Sequence, residues 1–127
     1  METTRTKIGA AEKIARAKSA YEAFNRGDFS NVGKFYADDV VWHYVGGPVR
    51  GRDAVVAYSK EQMQRLNATA EPHDILASDD HVVSLLTYTA NGKPYKLILI
   101  AHVDDEGRVT EGWSFGEPDL ANVVTQR

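Results

Sequence analysis

The sequence predicts an α+β fold in which a curved, mainly antiparallel sheet wraps around three N-terminal helices. Segments whose apolar residues return every three or four positions fill the first half of the chain. Segments of alternating or continuous apolar and β-branched residues, joined by turn signals, fill the second. Between the second and third helices stands one early aromatic strand, around Trp42, His43 and Tyr44.

The first helix is predicted over residues 6–26, where Ile8, Ala11, Ile14, Ala15, Ala17, Ala20, Tyr21 and Phe24 make one apolar stripe. Gly27 suits a left-handed cap. Residues 29–36 form a short second helix with Val32, Phe35 and Tyr36 on one side, and Asp38-Asp39 ends it. Val40, Trp42 and Tyr44 then alternate with Val41, His43 and Val45, a strand's period of two. Gly46-Gly47-Pro48 stops that strand, because glycine supplies positive φ and proline removes a donor. Gly51, Arg52 and Asp53 lead into a third helix through residue 66, with the acidic residue suited to the positive end of the helix dipole.

Residues 67–72 read as a polar connection, 73–77 as a short strand and Ser78-Asp79-Asp80 as a turn. Residues 81–90, rich in Val, Leu, Thr and Tyr, form a long strand. Asn91-Gly92 is a strong hairpin signal, and residues 95–103 return. Leu97, Ile98, Leu99, Ile100 and Ala101 are apolar at every position, so both faces are expected to be covered. After a turn at Asp105-Glu106-Gly107, residues 108–115 form the last strand, with Val109, Glu111, Trp113 and Phe115 on one face. Residues 116–119 leave the sheet and 120–127 form a short tail. The expected core includes Ala15, Phe24, Phe35, Val55, Leu66, Leu86, Ile98 and Phe115. The alternate strand face, around Leu85, Leu97, Leu99 and Ala101, is expected to meet a second copy in a homodimer.

At 127 residues the chain is expected to form one domain. Its net charge of −3 leaves no basic footprint for nucleic acid. No apolar run approaches the ~20 residues of a membrane helix, so no membrane partner is expected. The N-terminal stretch is polar and lacks the apolar core of a signal peptide, which predicts a cytoplasmic location. With no cysteine, disulfides, iron–sulfur clusters and thiol catalysis are excluded. His73 and His81 flank Asp79-Asp80, but their spacing fits no ligand motif, so no metal and no cofactor are expected.

YEAFNRGDFSNVGKFYADDVVWH, GRDAVVAY and DEGRVTEGWSF, in that order, resemble the nuclear transport factor 2-like superfamily, and within it the SnoaL-like and ketosteroid-isomerase-related proteins. The resemblance implies a cystatin-like cone with a deep apolar pocket, often dimeric through the outer face of the sheet. It leaves the chemistry open, because this fold hosts isomerases, cyclases, dehydratases, epoxide hydrolases and non-catalytic binding modules. The catalytic aspartate of ketosteroid isomerases would fall at Tyr44. Their tyrosine would fall near Ala20, beside Tyr21, and their protonated aspartate near Ile100, so that triad is absent. No Arg-x-Asp pair of the limonene epoxide hydrolase kind stands in LILIAHV. Asp119 is the counterpart of the late aspartate of SnoaL-type cyclases, displaced by two positions.

The candidate catalytic residues are therefore Tyr44, His102, His43 and Asp119. Tyr44 shares a strand face with Trp42 and Val40, and by the family register that face looks into the cone. His43 points outward in a regular strand, and a bulge beside Gly46-Gly47 would turn it in. His102 shares its parity with Ile98 and Ile100, and enters the site if that face lines the cone. Trp42, Tyr58, Tyr21, Trp113 and Phe115 are the expected apolar wall. The expected function is a cofactor-free isomerase, cyclase or hydratase working by general acid/base chemistry on an apolar polyketide-, steroid- or terpenoid-like molecule. The alternative is a non-catalytic ligand-binding or dimerisation module.

Overall fold

Helix α1, Ala10–Arg26, ends where Gly27 turns left-handed at φ 74°. The Asp28 amide then reaches back to the Ala23 carbonyl at 2.9 Å, satisfying a carbonyl that the helix end would leave open. The computed structural model describes residues 8–44 and 46–125. The predicted helix start at residue 6, Val45 and the last two residues of the tail lie outside the described residues. A short α2, Phe29–Val32, and a 3-10 turn, Gly33–Phe35, lead into β1, Tyr36–Tyr44. Then come β2, Gly47–Arg50; α3, Arg52–Leu66; β3, Thr69–Ala77; and β4, His81–Ala90. The chain finishes with β5, Lys93–Val103; β6, Val109–Gly116; and α4, Pro118–Thr125.

The six strands form one sheet in the order β2-β1-β6-β5-β4-β3. Only the β1–β6 pair is parallel, and the other neighbours are antiparallel. The α+β class and the curved, mainly antiparallel sheet agree with the sequence reading. The Asn91-Gly92 hairpin is also present, with both residues at positive φ.

Three element assignments are corrected. Gly46-Gly47-Pro48 follows the end of β1 as expected, but Gly47 and Pro48 also open β2, a strand the sequence reading lacked, which lies at the sheet edge where proline's missing N–H goes unmissed. Residues 67–72 are mostly strand, because β3 begins at Thr69 and carries Pro72 beside a register shift on the opposite edge. The tail is the helix α4, which buries Leu120 and Val124. A fourth helix thus joins the three N-terminal ones.

The concave face and the helices share a core around Val40, Val55, Leu66 and Leu86. Phe24 and Phe35 are partly buried there, but Ala15 faces solvent. The parity expected of β5 is reversed. Leu97 and Ala101 are buried, and Leu99 packs against the core, whereas Ile98 is 40% and Phe115 53% exposed. A run that is apolar at every position does not specify its own face; pairing does. Ser84, which is buried, stands opposite Leu99, and Leu99 opposite Ser114, so that row faces inward. A further irregularity lies in β6, where Val103 pairs with Val109 but His102 with Glu111. The extra residue puts Val109 toward the core while Glu111, Trp113 and Phe115 face out.

Candidate functional site

The cone holds two adjoining chambers between the concave sheet face and the helices. The larger, ≈ 140 Å³, is bounded by α1, α3 and α4 residues and by Trp42, Tyr44, Leu97 and Ser114 of the sheet. The smaller, ≈ 90 Å³, lies toward the start of α1 and the far ends of β4 and β5. Ala20, Tyr21, Tyr36, Trp42 and Leu99 border both chambers.

Strand alternation places the aromatic row. Val40, Trp42 and Tyr44 occupy the inward positions of β1. Trp42 meets Tyr36 edge to face at 6.2 Å and Tyr44 at 5.9 Å. Tyr44 in turn stacks on Tyr58 of α3 at 3.9 Å. The Trp42 indole Nε1 donates to Ser114 Oγ at 2.7 Å, so its one donor is satisfied. Deeper in, Tyr88 donates to Gln62 Oε1 at 3.0 Å, and Gln62 Nε2 donates to the Val124 carbonyl at 3.4 Å, tying α3 to α4.

The phenols set the chemistry. Burial pushes Tyr36 up to about 12. Tyr44 is raised well above its ordinary value, chiefly by burial, with Ser59 as its polar neighbour opposing the shift. Tyr21, facing Ser84, and Tyr88 are raised for the same first reason. Charging a phenol in an apolar cavity costs solvation, and that cost is the largest influence on each of the four. These hydroxyls are therefore neutral hydrogen-bond donors at physiological pH rather than bases. No carboxylate or imidazole lines either chamber among the described residues. No group of His, Asp and Glu suited to a metal ion occurs among them either.

The sequence-predicted residues separate into two sets. Tyr44, Trp42, Tyr58 and Tyr21 line the larger chamber. His102, Trp113 and Phe115 do not, which corrects the expectation that their face looks into the cone; β5 and β6 present them on the convex side. There Trp113 is flanked by His43, stacked at 5.4 Å, and by His102, edge-on at 4.9 Å. His81 completes the row against His102 at 4.3 Å. His43 points outward, as regular alternation requires, and its Nε2 lies 2.7 Å from Glu111 Oε2. Asp119 is exposed in the first turn of α4 and borders neither chamber. Tyr44 and His102 thus lie on opposite faces of the sheet and cannot work as a pair.

Sequence reasoning missed Ser59 and Gln62, two polar residues that α3 turns toward the larger chamber. Their signal was available: both interrupt the helical stripe of Val55, Tyr58 and Leu66 at three- and four-residue steps. Ser114 was missed for another reason, having been placed on the wrong side of β6.

This curved sheet closed over an apolar cavity defines a protein of the nuclear transport factor 2-like class. The family model described as the SnoaL-like domain matches residues 17–112, and the chain belongs to that family. A SnoaL-like protein of unknown function from Burkholderia thailandensis is similar at 21% identity and a TM-score of 0.75, covering 87% of this chain and 98% of that one. An NTF2-like protein of unknown function from Burkholderia xenovorans is similar at 20% identity and a TM-score of 0.74, covering 93% and 97%. A protein with a cystatin-like fold from Methylobium petroleophilum, also of unknown function, has 14% identity and a TM-score of 0.79, covering 87% and 78%. At these identities the likeness is one of fold. Comparison with curated proteins gives no match.

Proposed function

We propose that the cone binds a small, largely apolar molecule through an acceptor oxygen. Within the isomerase and cyclase chemistry that its fold family includes, it would act by hydrogen-bond donation to that oxygen. The observation that carries this reading is the set of neutral phenols, Tyr44, Tyr36 and Tyr21, around chambers that no carboxylate or imidazole lines among the described residues. Donors held in an apolar site stabilise a developing oxyanion far more than they would in water. Such a site suits a carbonyl-bearing polyketide- or terpenoid-like substrate whose proton is moved by the substrate itself or by solvent. On size, an apolar cavity of about 150 Å³ takes a benzene-sized ring. The larger chamber suits one ring, and the two together suit a somewhat longer molecule.

The lack of a carboxylate or imidazole among the described lining residues also favours a second reading, a non-catalytic ligand-binding module. Mass spectrometry of small molecules extracted from the purified protein, followed by a turnover assay on the compound found, separates the two. Conversion that falls in Tyr44→Phe supports the enzyme; tight binding without conversion supports the module. Failure of any one- or two-ring compound to bind would overturn both.

A second copy of the chain is the proposed cover for the convex face. Leu85, Ile98 and Phe115 form one cross-strand row there, and all three are exposed. Leu76, exposed and paired with Val83, adds to the apolar residues of that sheet. This patch replaces the one expected from sequence, of which only Leu85 faces outward.

A further inference from the structure

We infer that the molecule taken up by the cone is an acid, its carboxylate held at the Lys13 and Arg16 end of the smaller chamber. This rests on the proposed reading that the cone binds a small apolar molecule. Lys13 is 3% exposed, and burying an ammonium without a carboxylate is costly. Its Nζ donates to the Ser78 carbonyl at 2.9 Å and to the Asp79 carbonyl. A lysine carries three N–H donors, so one remains after these two bonds. No carboxylate lies within ion-pair distance of Lys13 among the described residues. Arg16, one helical turn on, lines the same chamber and bonds Glu12 through Nε and Nη2, at 3.2 and 3.0 Å. Asp104, on the neighbouring turn, is occupied by the amides of Glu106 and Arg108 and by the Arg108 guanidinium.

Among the described residues, the smaller chamber is therefore lined by two cations and by the donors of Tyr21, Tyr36 and Ser84, with no anion in its wall. The larger chamber has no charged side chain in its wall among the described residues. Both open on the same Trp42 and Leu99 surface, so a molecule with an apolar ring and a short acidic arm matches the pair end to end. An ester or amide would match the larger chamber equally well but would leave the Lys13 ammonium without a counter-charge.

The test is calorimetric titration of the full chain with a panel of one- and two-ring carboxylates, each paired with its primary amide, for example 1-naphthylacetate and 1-naphthylacetamide. The expected result is that the best-bound acid exceeds its amide by about tenfold or more, the scale of a charge-assisted hydrogen bond. That preference should shrink toward parity in Lys13→Met and decline in Arg16→Gln. Lys13 also anchors the β3–β4 turn, so if Lys13→Met does not fold, the half-exposed Arg16 variant and the loss of preference at high salt decide. Equal binding of acid and amide to the unaltered chain would overturn the inference and leave the ligand-binding cone standing. Binding of neither across the panel would overturn the cone reading itself.

Discussion

The Trp42 indole fills the space where a side chain on Gly112 would stand. The two residues are register partners across the parallel β1–β6 pair, and a Cβ added at Gly112 would fall 2.3 Å from Trp42 Cε3 and Cζ3. Gly112→Ala should therefore drive the indole off its rotamer and toward the chambers it borders. Overpacking of this kind costs about 1–3 kcal/mol. Urea denaturation should show that loss, and intrinsic fluorescence should shift as the indole's bond to Ser114 lengthens. An unchanged midpoint and spectrum would mean that the strand yields instead.

Tyr44→Phe removes one hydroxyl from the cavity wall and keeps the ring that stacks on Tyr58. Ligand affinity or turnover should fall, with loss of an oxyanion donor worth about 10²- to 10³-fold in rate if the compound is converted. His102→Ala, on the opposite face, should leave both parameters unchanged. A drop in His102→Ala equal to that in Tyr44→Phe would return the histidine to the site.

Alkaline pH should unfold the protein. Tyr21, Tyr36, Tyr44 and Tyr88 have raised values in the folded chain, whereas in the unfolded chain a tyrosine ionises near ~10. A raised folded value means that stability is complete below pH ~10 and is lost as pH climbs toward and past 12, because the unfolded chain releases these protons first. Absorbance at the tyrosinate band should lag behind the ordinary titration, then rise together with loss of circular dichroism. A smooth titration centred on the ordinary value with the fold intact would contradict the burial.

Ile98→Glu places a charge in the middle of the Leu85, Ile98 and Phe115 row. If a second copy covers this face, the contact should bury more than about 1,200 Å² in total, the scale of a stable pair. Light scattering should then show a dimer for the unaltered chain and a monomer for the variant. A monomer in both at micromolar concentration would remove the second copy as the cover.

Much of the architecture was legible in the chain because it is written in local patterns. The Ile14, Ala17, Tyr21 and Phe24 stripe, the Gly27 cap and the Asn91-Gly92 hairpin each act through neighbours a few residues away. Clean alternation likewise put Trp42 and Tyr44 on one face of β1 and His43 on the other, and the family resemblance implied that the first face looks into the cone. What the sequence could not decide was the facing of β5 and β6. The run around Ile98 and Leu99 is apolar on both parities, and an extra residue before Glu111 shifts β6 midway, so only the pairing of Ser84, Leu99 and Ser114 settles which side is in. That single choice moved His102, Trp113 and Phe115 out of the cone. It left Tyr44 among neutral phenols, and Lys13, which reads locally as one more polar position on a helix, was buried by the turn at Ser78 and Asp79 that folds over it.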